Sequence, residues 1–286
     1  HTQEHSQLRH VSFLSFFAGQ PFIGPAVLPA VAGMAYLLIA TSMRRFRVIG
    51  LTCAGAFALL LVLHGKAYYI APIYPALFAA GAVALERWTA SMAAAWRVSL
   101  RAAIALVFIG GALATLPLEL PIFSKEYTAR FVVRSGLGHA ARTNQGVQLR
   151  LPQDYADMLG WPEEVAAVAQ VYDSLPAEKR AQVVLGADNY GEAGALEYYG
   201  PRHKLPNVIS GAGSYWFFGP GEKPGTVLIV LGGEKSDLDP FYATVTEAGR
   251  VRNAWGVPEE MDVPIYVAEH PRSTLQKIWP LLAGQD

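Results

Sequence analysis

The chain has 286 residues, 52% of them hydrophobic and only 16% charged, against about 25% charged in an ordinary soluble domain. Its formal net charge is zero, from 23 Lys and Arg and 23 Asp and Glu, which argues against a nucleic-acid partner, since phosphate binding needs a concentrated basic surface. The single cysteine, Cys53, excludes an internal disulfide framework and a cysteine metal site.

In chain order, charges are scarce from His10 to Leu118 and of ordinary density from Glu119 onward. A lipid-embedded first part is therefore joined to a globular second part. The opening HTQEHSQLRH lacks the basic leader, short apolar core and small-residue cleavage site of a signal peptide, and the chain is expected to begin within a longer protein. Gln7 to Phe17 reads as an amphipathic or re-entrant helix. A crossing of the hydrocarbon core takes roughly 20 apolar residues. About four crossings are expected, from Phe22 to Met43, Val48 to Leu63, Tyr68 to Leu85 and Val98 to Leu116, the last ended by Pro117 and Pro121.

The connections between these crossings differ in charge. Arg44, Arg45 and Arg47 follow the first crossing, Lys66 alone lies between the second and third, and Arg87, Arg97 and Arg101 face one acid, Glu86, before the fourth. The positive-inside rule puts both arginine clusters in the cytoplasm. Lys66 and everything after Leu116 then face outward, which in a bacterium means a multi-pass inner-membrane protein with a periplasmic carboxy-terminal domain. The competing reading, buried helices of a large soluble protein, needs several consecutive helices that are apolar on every face.

Residues 1–122 are thus assigned to the membrane region, 123–157 to a juxtamembrane connection and 158–286 to an α/β domain. In that domain Trp161-Pro162-Glu163-Glu164 opens a helix, with a proline in the first turn and acids at the positive end of its dipole. Pro176 follows as a stop. Strands are predicted at Ala181 to Leu185, Asn207 to Ser210, Thr226 to Leu231, Gly249 to Asn253 and Pro264 to Ala268. Helices are predicted at Glu192 to Tyr199, Asp237 to Thr244 and Ser273 to Leu282, with Ser273 as cap. Such alternation implies a small, mostly parallel sheet between helical layers.

The most informative stretch is HGKAYYIAPIYP, beginning at His64. Lys66 supplies a point charge suited to a phosphate, and the hydroxyls of Tyr68 and Tyr69 can orient phosphate oxygens. An interfacial anchor of lysine and aromatic belt explains the same residue types. Pro72 and Pro75 preset the entry to the next helix. In the soluble part, Gly186 to Gly194 joins a strand to a helix and contains Tyr190 and Glu192. Such a turn can cradle an anion, but it lacks the dinucleotide fingerprint and the phosphate-loop lysine, and tight packing explains its glycines too. Ser214-Tyr215-Trp216-Phe217-Phe218 clusters aromatics in a loop, as a sugar-stacking platform, a membrane contact or a buried layer. Tyr190, Glu192 and Trp216 are the candidate ligand contacts of this domain. His5 and His10, five apart, are poorly spaced for a shared metal, and no metal site is expected.

The run HGKAYYIAPIYPALFAAGAVALE resembles the last membrane-helix region of bacterial family 39 glycosyltransferases of the GT-C type. These are relatives of the protein O-mannosyltransferases and of the aminoarabinose transferases that modify lipid A. The block from Leu151 to Trp161, with Asn189 to Ala195 and Ile209 to Trp216, is similar to one bacterial branch of that family. The resemblance implies a membrane enzyme that moves a sugar from a polyprenyl-phosphate donor to an acceptor on the outer face, without a certain cofactor. It implies that Lys66 and Tyr69, with Tyr68 behind them, meet the donor phosphate. Two residues separate Lys66 from Tyr69 here, where the relatives have three. The family's catalytic acid belongs to a first external loop that nothing in this chain matches, so no catalytic residue is assigned. The alternative is a non-enzymatic, membrane-anchored periplasmic binding protein.

Overall fold

A computed structural model describes residues 26–65, 67–143 and 146–282. They fall into two compact units divided between Pro117 and Leu118.

The first unit is helical: α1 (Val27–Ile39), α2 (Arg47–Val62), α3 (Tyr74–Thr89) and α4 (Ala94–Glu119). Three helical stretches are long and apolar enough to span a membrane, Thr41–Val62, Tyr68–Thr89 and Ala94–Glu119. The expected first crossing is not one of them. Its described part is a 13-residue helix, because Ala40 turns to extended backbone and a 3-10 helix, Thr41–Phe46, follows. The expected helix over Gln7 to Phe17 lies outside the described residues. Pro117 does not end α4, which runs on to Glu119; so close to the terminus the proline forfeits little of the helical ladder.

Helices α1 and α3 touch backbone to backbone. A Cβ on Gly33 would collide with the Leu77 carbonyl, and one on Gly81 with the Pro29 carbonyl. Small residues at such a crossing are how helices associate where lipid removes the hydrophobic drive. Further along, the Arg87 guanidinium lies 5.9 Å from the Tyr36 ring centre, so the two helices run the same way and end together. Arg101 closes that end by donating to Thr89 Oγ1 at 2.8 and 3.0 Å and to the Glu86 carbonyl at 3.0 Å, a cation at a helix C-terminus.

The second unit holds α5 (Lys125–Arg134), α6 (Trp161–Ser174), α7 (Tyr190–Tyr199) and five strands, β1 (Val183–Ala187), β2 (Val208–Ile209), β3 (Val227–Leu231), β4 (Tyr242–Arg252) and β5 (Asp262–Pro271). Their order in the sheet is β2-β1-β3-β5-β4. The ladders of β1 with β2 and β3 are parallel, while β5 pairs antiparallel with both β3 and β4. The sheet is therefore mixed, and its longest ladder is antiparallel, which corrects the mostly parallel expectation. The physical reason is the β4–β5 hairpin, which needs no crossover helix.

Both faces of the sheet are covered. Val183, Leu185, Ile229, Leu231, Ile265 and Val267 meet Val165, Val168 and Val171 of α6 and Leu196 of α7. Val184, Leu228, Val230 and Tyr266 meet Leu275 and Ile278 on the other side. The fully buried runs of β1 and β3 show why their sequences are continuously apolar rather than alternating. The carboxy-terminal helix is shorter than expected: Leu275–Ile278 with cap residue Thr274, then a 3-10 turn, Trp279–Leu282. The juxtamembrane stretch belongs to this unit, since Leu149, Leu151 and Ala156 share a cluster with Val257.

Candidate functional site

Between α2 and α3 the chain passes through His64, with φ 55°, and enters a 3-10 helix over Ala67–Ile73 that contains Pro72. Pro75 then sits in the first turn of α3, where its missing N–H costs nothing. Ile70 and Tyr74 point inward and are buried, while Tyr68 and Tyr69 are exposed. Their rings meet edge to face, with centres 4.7 Å apart. The inward pair anchors the turn and leaves the outward pair at the mouth of a membrane-length helix. Lys66 lies outside the described residues.

In the second unit β1 and β3 end side by side, and their loops form one floor. Asn189 caps α7 by accepting from the Glu192 N–H at 2.9 Å. The Glu192 carboxylate accepts in return from the N–H groups of Asp188 at 3.0 Å and Asn189 at 3.2 Å, a complete capping box. Opposite, Gly232 and Gly233 have φ of 80° and 71°. A Cβ on Gly232 would overlap the Glu192 carboxylate, and one on Gly233 would reach 2.9 Å from Asp188 Oδ1. These glycines make room for the acids of the neighbouring turn.

Glu192 is 3% exposed, and two further acids are sealed nearby, Glu164 at 0% and Glu260 at 7%. Both oxygens of Glu164 and Oε2 of Glu260 are buried without a hydrogen-bond partner. Burial raises the Glu164 carboxyl to about 8, with the Glu260 and Glu163 charges adding to it. Burial likewise raises Glu192 to about 9, Glu260 again adding and the Asn189 backbone bond opposing. Glu260 is raised by burial as well. Beside them Asn253 donates to the Leu159 carbonyl at 2.7 Å. The arrangement stores protons at neutral pH. Among the described residues, no three His, Cys, Asp or Glu side chains are placed to hold a metal ion.

The three soluble-domain candidates do not converge. Tyr190 is exposed, and Glu192 serves its own turn. Trp216 is tied inward: its Nε1 donates to the Trp279 carbonyl at 3.0 Å, and Trp279 Nε1 donates to the Trp216 carbonyl at 3.1 Å. The solvent-facing aromatics of that loop are Phe217 and Phe218, 80% and 82% exposed. Beyond the ends of β1, β2 and β3, on the other face, a cleft of about 110 Å³ is lined by Asp188, Ser210, Asp237, Phe241 and Trp279. It admits a few water molecules, well below the roughly 300 Å³ of a small-molecule pocket. Glu164 reads in the sequence as a dipole partner early in a helix, and Glu260 closes a three-residue 3-10 turn that no sequence signal marks as buried. No family model, curated protein or solved structure matches the chain.

Proposed function

We propose that this chain is the carboxy-terminal part of an integral membrane glycosyltransferase that transfers a sugar from a polyprenyl-phosphate donor to an acceptor on the external face. In this reading Lys66 and Tyr69, with Tyr68, hold the donor phosphate, and the acid that activates the acceptor is not among this chain's residues. The membrane is the bacterial inner membrane, with the second unit in the periplasm. The observation that supports the reading is the exposed Tyr68–Tyr69 pair held at the entry to a membrane-length helix, two residues beyond Lys66 in the sequence. Its inward neighbours Ile70 and Tyr74 fix the turn, so the hydroxyls need little ordering to meet a ligand. Losing a charge-assisted contact costs about 1.5–3 kcal/mol. Lys66→Ala in the full-length protein is expected to weaken binding of a polyprenyl-phosphate sugar by about ten-fold or more, and transfer with it. Unaltered donor affinity removes Lys66 from the site.

A non-enzymatic, membrane-anchored binding protein is the second reading. The exposed rings of Tyr190, Tyr198, Phe217 and Phe218 favour it, because such aromatic surface on a soluble unit marks contact with something. Transfer activity in the full-length protein decides between the two.

A further inference from the structure

The stretch that follows α4 is basic, unlike the remainder of the unit it opens. From Leu120 to Arg150 there are five cations, Lys125, Arg130, Arg134, Arg142 and Arg150, and one acid, Glu126, in a chain whose net charge is zero. Among the described residues none of the five has a carboxylate within 4 Å. Helix α5 buries Thr128 and Val132 and leaves Tyr127, Arg130, Val133 and Arg134 outward. Lys125 and Arg150 converge from separate segments on the Trp255 ring, 5.5 and 5.4 Å from its centre. The exit segment before them exposes Leu120, Ile122 and Phe123 and is pinned by the Tyr155 hydroxyl, which donates to the Phe123 carbonyl at 2.7 Å.

Chain geometry says what this surface meets. Only five residue steps separate Glu119, where the membrane-length helix ends, from the α5 cap Ser124. At about 3.5 Å per residue they span at most about 17 Å, so α5 starts within reach of the headgroup region, which is about 5–8 Å deep on each side. Apolar side chains at the exit, an aromatic pair of Phe123 and Tyr127 with ring centres 4.7 Å apart, and cations without a carboxylate beside them match the layering of a bilayer surface. Acyl chains, interface and phosphates come in that order. We infer that α5 and its flanking arginines form a docking surface for anionic phospholipid headgroups, which fixes the second unit against the membrane. This holds whether or not the protein transfers a sugar.

The test uses the full chain, purified in neutral detergent and titrated with short-chain phosphatidylglycerol, short-chain phosphatidylcholine or inorganic phosphate. Amide hydrogen exchange is followed over residues 120–134. Phosphatidylglycerol should slow exchange there and phosphatidylcholine should not. Each arginine contributes about five-fold in affinity at an anionic surface, so losing two raises the half-maximal concentration by roughly 25-fold, and R130E/R134E, which also reverses both charges, should raise it by more than that. Both arginines are exposed, and R130Q/R134Q, which leaves no reversed charge, should give the same direction with a smaller shift. Equal protection by the two lipids, an unshifted midpoint in both variants, or full protection by inorganic phosphate alone would overturn the inference.

Discussion

A carboxylate sealed from water without a counter-charge costs more than the proton that neutralises it, and Glu164 meets that condition. The sign of the consequence follows by linkage. The folded carboxyl holds its proton up to about pH 8, and Glu192 up to about 9, while in the unfolded chain both lose it near 4.5. Folding therefore takes up protons between these limits, and stability falls as pH rises from about 4.5 to about 9. Unfolding of the second unit, read from the fluorescence of its tryptophans Trp161, Trp216, Trp255 and Trp279, should show that slope. Glu164→Gln mimics the protonated form. It is expected to leave stability at pH 5 nearly unchanged and to raise it at pH 9 by about 1–3 kcal/mol. A flat profile in the parent protein would show that water reaches these groups.

Among the helices, the α1–α3 crossing rests on two residues without side chains. Gly81→Leu would drive a branched side chain into the Pro29 carbonyl, and Gly33→Leu into that of Leu77. Either should lower stability by at least about 2 kcal/mol, measured as the melting of helical circular dichroism in detergent. Gly110→Leu on α4, where a Cβ meets nothing within 4 Å, is the matched control, and an equal response from it would discredit the crossing as the cause. The same elements show what was legible beforehand. Membrane length is a one-dimensional property, so the apolar runs of α2, α3 and α4 were readable directly. So were β1 and β3, whose burial on both faces makes them continuous apolar blocks. Strand β4 was not. Its buried residues Tyr242 and Val245 stand three apart and a bulge falls between Glu247 and Gly249, so its first half mimics helical spacing. Helix α5 was missed because it spans only ten residues and buries a threonine rather than an apolar stripe. At the site, the aromatic character of Tyr68, Tyr69 and the 215–218 loop was legible, but not which rings face outward. In the 215–218 loop that choice is made by Trp279, 63 residues from Trp216.

For the whole molecule, the arginine clusters carry the orientation on which the proposed external reaction depends. Helices α1 and α3 end together, as the Arg87–Tyr36 contact shows, so Arg44, Arg45 and Arg87 gather at one end of the first unit, and the turn into α4 continues from it. The cations after α4 pull the other way, yet Arg44, Arg45, Arg47, Arg87, Arg97 and Arg101 on one side still outnumber Lys66, Lys125, Arg130 and Arg134 on the other. Lys125, Arg130 and Arg134 are then available to lipid on the opposite face. In a Cys53→Ser background, single cysteines at Ser91 in the α3–α4 turn and at the exposed Glu178 of the second unit report the two sides. In spheroplasts a membrane-impermeant maleimide should label Glu178→Cys within minutes and leave Ser91→Cys untouched until the membrane is permeabilised. The reverse pattern would turn Lys66 and the tyrosine pair toward the cytoplasm, and an external transfer from a lipid-linked sugar could then not use them.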